Sequence, residues 1–125
     1  MVEAKKAAEH AYAPYSKFRV GAALQLTNGE VVTGANVENA SYGLTICAER
    51  SAVVRAVAQF GPAMRIAAVA VTNLNGAASA PCGACRQVLG EFMAPDAPVT
   101  FATDDGTKTM RIDELLPVGF VLRSA

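Results

Sequence analysis

Ile66-Ala67-Ala68-Val69-Ala70-Val71-Thr72 is a near-continuous apolar run of strand length, the pattern of a β-strand buried on both faces. Such a strand needs helices on either side, and the neighbouring sequence supplies them. Upstream, a helix is expected from near Thr45 to the break at Gly61-Pro62. Downstream, residues 79–85 open another. Its apolar positions Ala84, Cys85, Val88, Leu89, Phe92 and Met93 recur at helical spacing, and Pro95 lies just past the end. Further out, residues 19–26 and 30–37 lean toward strand and join through Thr27-Asn28-Gly29, where Asn-Gly marks a tight hairpin. Residues 99–103 predict another strand, Asp104-Asp105-Gly106 a turn, 108–112 an edge strand and 113–116 a short helix. An Ala-, Lys- and Glu-rich helix over about 2–11 precedes them all and closes before Pro14. Helices alternating with buried strands imply a sheet covered on both faces, parallel where the helices cross over. The expected fold is therefore α/β, a three-layer α/β/α sandwich with a mixed sheet of about five strands.

The chain has 125 residues, the size of one domain, expected to span 1–125. Hydrophobic residues make up 52% and charged ones 18%, below the usual charged share of about 25%. So little charge covers a monomer poorly, and part of the apolar surplus is expected to form a subunit interface. Eleven basic and eleven acidic side chains cancel, and the cations, from Lys5 to Arg123, are scattered. No basic patch marks a nucleic-acid partner. No apolar run reaches the roughly 18 residues of a membrane span, and residues 1–10 lack a signal-peptide core. A cytoplasmic protein is expected.

Three cysteines is an odd count, which argues against a disulfide framework. All three fall at expected helix starts. Cys47 opens Cys47-Ala48-Glu49-Arg50, and Cys82 and Cys85 lie in Pro81-Cys82-Gly83-Ala84-Cys85-Arg86. A helix N-terminus presents free N–H groups and partial positive charge, which favour the thiolate that binds metal. Three protein ligands with a fourth position open is the arrangement of catalytic zinc, whereas structural zinc usually has four. A lone Cys-Gly-Ala-Cys reads equally as a dithiol redox pair, and buried inert cysteines are a further reading. A redox pair requires neither Cys47 nor Glu49. The single histidine, His10, sits in the charged N-terminal helix and makes a poor fourth ligand.

Cys-Ala-Glu followed some thirty residues on by Pro-Cys-x-x-Cys is the zinc deaminase pattern, here with cysteine where histidine usually stands first. Tyr12-Ala-Pro-Tyr-Ser-Lys-Phe-Arg-Val-Gly-Ala-Ala23 and Asn36-Val-Glu-Asn-Ala-Ser-Tyr42 precede it. With Thr45-Ile-Cys-Ala-Glu-Arg-Ser51, Pro81-Cys-Gly-Ala-Cys-Arg-Gln87 and Leu115-Leu-Pro-Val-Gly-Phe120, the sequence resembles the small homotetrameric zinc-dependent cytidine deaminases along nearly its whole length.

The resemblance implies hydrolysis of cytidine and deoxycytidine to uridine and deoxyuridine with release of ammonia, in pyrimidine salvage. It implies one zinc per chain on Cys47, Cys82 and Cys85, with Glu49 as proton shuttle and Arg50 donating to the ligand sulfurs to offset their charge. It assigns the Ala48 N–H and the Thr45 and Pro81 carbonyls to the pyrimidine, and Asn36 and Glu38 to the ribose. Those two alternate around Val37 at a strand end and so point to one side; strand-end Asn and Glu also commonly just satisfy a loop. Phe18 resembles the aromatic beside the base, and Phe120 the one reaching it from a neighbouring subunit; either could instead be core. Tyr42 matches a family position without an assigned role. A deaminase of another aminopyrimidine nucleoside, such as blasticidin S, shares the zinc motifs. A zinc-thiolate or dithiol redox module is the alternative outside the enzymes.

Overall fold

The chain folds, in a computed structural model that describes residues 1–122, as α1 (Val2–Ala8), β1 (Val20–Leu26), β2 (Val31–Ala35), a 3-10 turn (Tyr42–Leu44), α2 (Ala48–Phe60), β3 (Ile66–Asn73), α3 (Gly83–Gly90), β4 (Pro98–Thr103), β5 (Gly106–Arg111) and α4 (Ile112–Leu115). Arg123 and the last two residues of the expected 1–125 domain lie outside the described residues. The five strands form one mixed sheet in the order β2-β1-β3-β4-β5. Strand β1 runs antiparallel to both β2 and β3, β3 runs parallel to β4, and β5 returns antiparallel. Thus β2, β3 and β4 point the same way, and the helices between them, α2 and α3, are the crossovers.

Side-chain alternation sorts the layers. Ala22, Leu24, Val69, Val71, Val99 and Phe101 face α2 and α3 and form the core with Ala48, Ala52, Val53, Ala56 and Leu89. Helix α1 packs on the opposite face of β1, β2 and β3. Both helices sit very close to the sheet, and glycine permits it. A Cβ on Gly34 would lie 2.5 Å from the Ala52 nitrogen and 2.7 Å from the Ala48 carbonyl oxygen of α2, and one on Gly21 would strike the backbone of α1 at Ala4 and Ala8. The hairpin between β1 and β2 closes through Gly29, at φ +89°, a conformation that favours glycine.

Two expectations need correction. Strand β3 is buried on one face only: Val69 and Val71 are covered, whereas Ala68, Ala70 and Thr72 on the other face are half-buried and Ala67 is exposed. The reason is length, since the seven residues of α1 cannot roof the whole sheet. Helix α3 stops at Gly90, so Phe92 and Met93 are not helical. Their backbone is claimed by the start of β3: the Ile66 N–H donates to the Phe92 carbonyl at 2.9 Å, and Met93 bridges Ile66. Both side chains still pack with the core, so the apolar spacing reported burial and not helix. Helix boundaries also shift: α1 ends at Ala8 and α2 begins at Ala48, later than Thr45.

Because α2 follows β2 and α3 follows β3, both helix N-termini lie at the carboxyl ends of parallel strands, where open α/β sheets bind ligands. The loop after β3 is anchored there by one buried side chain. Asn73 Oδ1 accepts the N–H groups of Asn75 (2.9 Å) and Ala77 (3.1 Å), and its Nδ2 donates to the Ala77 carbonyl (2.7 Å). Two residues further on, the Ser79 N–H donates to the Ala102 carbonyl of β4 at 2.9 Å.

Candidate active site

Cys47 and Cys82 are the N-cap residues of α2 and α3, each in extended backbone, and Cys85 lies in the first turn of α3. The Cys47 and Cys82 sulfurs are 4.0 Å apart, those of Cys82 and Cys85 3.4 Å, and all three lie within 4.8 Å of one another. Zinc held tetrahedrally by sulfur at about 2.3 Å needs ligand separations of about 3.8 Å, and disulfides need about 2.05 Å. The spacing fits a shared cation. His10 is exposed and outside this group.

Electrostatics argue the same way. The Cys47 thiol is held down to about 5, first by the hydrogen bond Cys85 donates to it and then by Arg50. The Cys85 thiol is pushed up by that same hydrogen bond and by burial. Thiolates this close suppress each other's ionisation, and a dication is what allows all three to ionise together. Arg50 supplies part of the offset: its Nη2 donates to Cys47 Sγ at 3.5 Å and to the Thr45 carbonyl at 3.4 Å.

Cys47 and Cys82 line a cleft of about 290 Å³, the scale of one small molecule. Phe18, Asn36, Glu38, Thr45, Ala48 and Glu49 line it together with Cys47 and Cys82. Glu49 is 5% exposed, and burial raises its carboxyl to about 6, a value suited to moving protons near neutrality. At i and i+2 on a helix start, Cys47 and Glu49 both face the cleft.

Away from the sulfurs, Asn36 and Glu38 are occupied by the chain itself. Asn36 Oδ1 accepts the Val20 N–H (2.9 Å), and its Nδ2 donates to the Phe18 carbonyl (2.8 Å). Glu38 accepts the N–H groups of Tyr15 (3.0 Å) and Ser16 (3.1 Å) and the Ser16 hydroxyl, which hold its carboxyl below the usual range. Loop-satisfying roles and a place in the cleft wall therefore coexist. The amide of Asn36 keeps a second N–H, and the carboxylate keeps lone pairs.

Two expected residues stand apart from the cleft. Pro81 is fully buried, and its carbonyl accepts Arg86 Nε at 2.7 Å. Phe120 is 71% exposed and held by its backbone, with its N–H donating to Gln87 Oε1 (3.1 Å) and its carbonyl accepting Gln87 Nε2 (2.9 Å). Sequence reasoning missed Ser16, whose hydroxyl bridges Glu38 and the Phe18 N–H, and Ser79, which lines the cleft. Ser79 had a signal: it is the one polar residue in Ala77-Ala78-Ser79-Ala80-Pro81.

Residues 1–101 match the cytidine and deoxycytidylate deaminase zinc-binding region. The chain belongs to that deaminase family. Among its relatives, the cytidine deaminase of Halalkalibacterium halodurans is 45% identical over 119 residues, covering 94% of this chain and 89% of that protein. The Mycobacterium tuberculosis cytidine deaminase is 46% identical, with 95% and 85% covered. The crystal structure of cytidine deaminase from Burkholderia pseudomallei superposes with a TM-score of 0.85 at 46% identity, covering 95% of this chain and 94% of that one. The M. tuberculosis crystal structure gives 0.83 at 42% identity, covering 97% and 94%. The deaminase thus has an α/β fold seen in this family, and its cofactor is zinc, with Cys47, Cys82 and Cys85 placed to hold it.

Proposed function

We propose that this deaminase hydrolyses cytidine and deoxycytidine to the uridine forms with release of ammonia, as part of pyrimidine salvage in the cytoplasm. The observation that carries the reading is the three-sulfur cradle sharing one cleft with a buried, proton-loving Glu49. Bound in that cradle, zinc supplies the positive charge that makes water a nucleophile near neutral pH. Glu49 takes a proton from the attacking water, delivers it to N3 of the cytosine ring and assists departure of the amino group as ammonia. The Ala48 N–H and the Thr45 carbonyl orient the pyrimidine, with the Pro81 carbonyl, already bonded to Arg86, contributing its second lone pair from beside Cys82. Phe18 lies beside the base, and the spare N–H of Asn36 and lone pairs of Glu38 meet the sugar hydroxyls. Arg50 and the two helix N-termini balance the thiolates' charge.

We further read 1–125 as one domain that assembles as a homotetramer, with Phe120 completing a neighbour's cleft. Supporting this, Val118, Phe120, Val121 and Leu122 stand exposed together near the chain's end. Among the described residues no helix is long and apolar enough to cross a membrane. The test is a substrate panel of cytidine, deoxycytidine, cytosine, CMP, adenosine and blasticidin S on zinc-loaded protein, followed by loss of the substrate's absorbance. Turnover of the two cytidine nucleosides is expected, and preferred turnover of blasticidin S or adenosine overturns the assignment.

A further inference from the structure

Ser79 stands on the loop between β3 and α3, three residues before Cys82, and lines the same cleft as Ala48, Glu49 and Cys82. The residue is 8% exposed, and its Oγ is shielded from solvent with no hydrogen-bond partner among the described residues. Its backbone is not free to drift, because the Ser79 N–H is tied to the Ala102 carbonyl of β4. A buried hydroxyl without a partner destabilises a fold, whereas alanine in its place would not. Ala77, Ala78 and Ala80 flank it in the chain, so Ser79 is the one side chain of this stretch with a polar group to offer. One rotation about χ1 carries the hydroxyl between staggered positions without moving the anchored backbone.

We infer that the Ser79 hydroxyl is a substrate-binding contact, meeting the pyrimidine end of the bound nucleoside directly or through one water. The inference rests on the proposed cytidine reading. The pyrimidine is assigned over the sugar by placement. Ser79 belongs to the segment that carries Cys82 and lines the cleft with Glu49, whereas the side chains of Asn36, Glu38 and Ser16 form a separate hydrogen-bonded group around the Phe18 backbone, the group assigned to the sugar. The group whose amino substituent is replaced must lie at the Glu49 end.

Ser79→Ala separates this role from a structural one. The variant is expected to raise the KM for cytidine and for deoxycytidine alike by about 2- to 10-fold, the scale of one neutral hydrogen bond, with kcat little changed. Zinc content should hold, and the ligand-free thermal midpoint should stay level or rise. An unchanged KM, a lowered ligand-free midpoint, or a KM change confined to one of the two sugars would each overturn the inference. If the unsubstituted protein turns over neither nucleoside, the proposed function itself fails. If it turns over both and Ser79→Ala matches it in every parameter, only the Ser79 contact fails.

Discussion

The two ends of the cleft obey opposite rules. At the sulfur end the groups oppose one another: Cys47 ionises at the expense of Cys85, Glu49 is driven toward its protonated form by burial, and Arg50 Nε and Ser79 Oγ lack partners among the described residues. At the other end Asn36 and Glu38 are paired with the backbone of residues 15–20, and the Ser16 hydroxyl closes the group. The first end has three sulfurs placed to share a cation, whose charge reconciles them. The second is assembled by folding alone. On the proposed reading, the chemistry falls where the fold leaves groups unsatisfied and the positioning where it satisfies them.

The sharpest way to break that contrast is at the sulfur end. Cys82→Ala should release zinc and abolish turnover, since two thiols cannot hold the catalytic ion, while His10→Ala leaves zinc unchanged. Glu49→Gln should keep stoichiometric zinc and still lose roughly 10²–10⁴-fold in activity, because the shape remains and the proton carrier goes. Metal analysis beside kcat/KM separates the pair, and loss of zinc in Glu49→Gln would make the glutamate a ligand.

A smaller effect is expected at Phe120, which neither end of its own chain's cleft contains. Phe120→Ala should raise the cytidine KM about 5- to 150-fold, the range for about 1–3 kcal/mol of base stacking on an aromatic ring. Mixed with Glu49→Gln chains after subunit exchange, it should recover activity above either parent if the ring acts in a neighbour's site. No recovery, with exchange verified by mass, would place the ring in its own chain or out of the site.

The smallest effect sharpens the folding-assembled end. Glu38's carboxyl is held below its ordinary value, chiefly by the Ser16 hydroxyl and then by the N–H groups of residues 15 and 16. The folded chain therefore binds fewer protons there than the unfolded chain does. That contribution to stability is present above the ordinary carboxylate pKa and is lost as pH falls through the lowered one. Glu38→Gln should melt earlier than the parent at pH 7, and thermal melts should converge only as pH drops below about 4, through the lowered value. A gap that widens with acid would reverse the sign of the argument.

The sulfur end was largely legible in the amino-acid sequence because its groups are local to helix starts. Cysteine spacing and an acid in the first turn both act over a few residues. The sheet's mixed direction was legible for a similar reason, since crossover helices bring parallel strands with them. The loops were not. Nothing periodic links Ser16 to Glu38, 22 positions away, or ties Asn36 to Phe18 and Val20. The failure at Phe92 and Met93 has another cause: helical spacing signals a shared buried side, and a strand start had already claimed that backbone.

The loop after β3 has a consequence for how such an enzyme diversifies. Asn73 organises the turn through Ala77 with one side chain, and Ser79 is pinned separately to β4. Between these two anchors the wall of the cleft is built from Ala78 and flanked by Ala80, residues that neither ligate zinc nor support the sheet. Directed evolution of substrate range has its most permissive stretch here, because randomising positions 78 and 80 reshapes the wall while the metal cradle and the scaffold stay as they are.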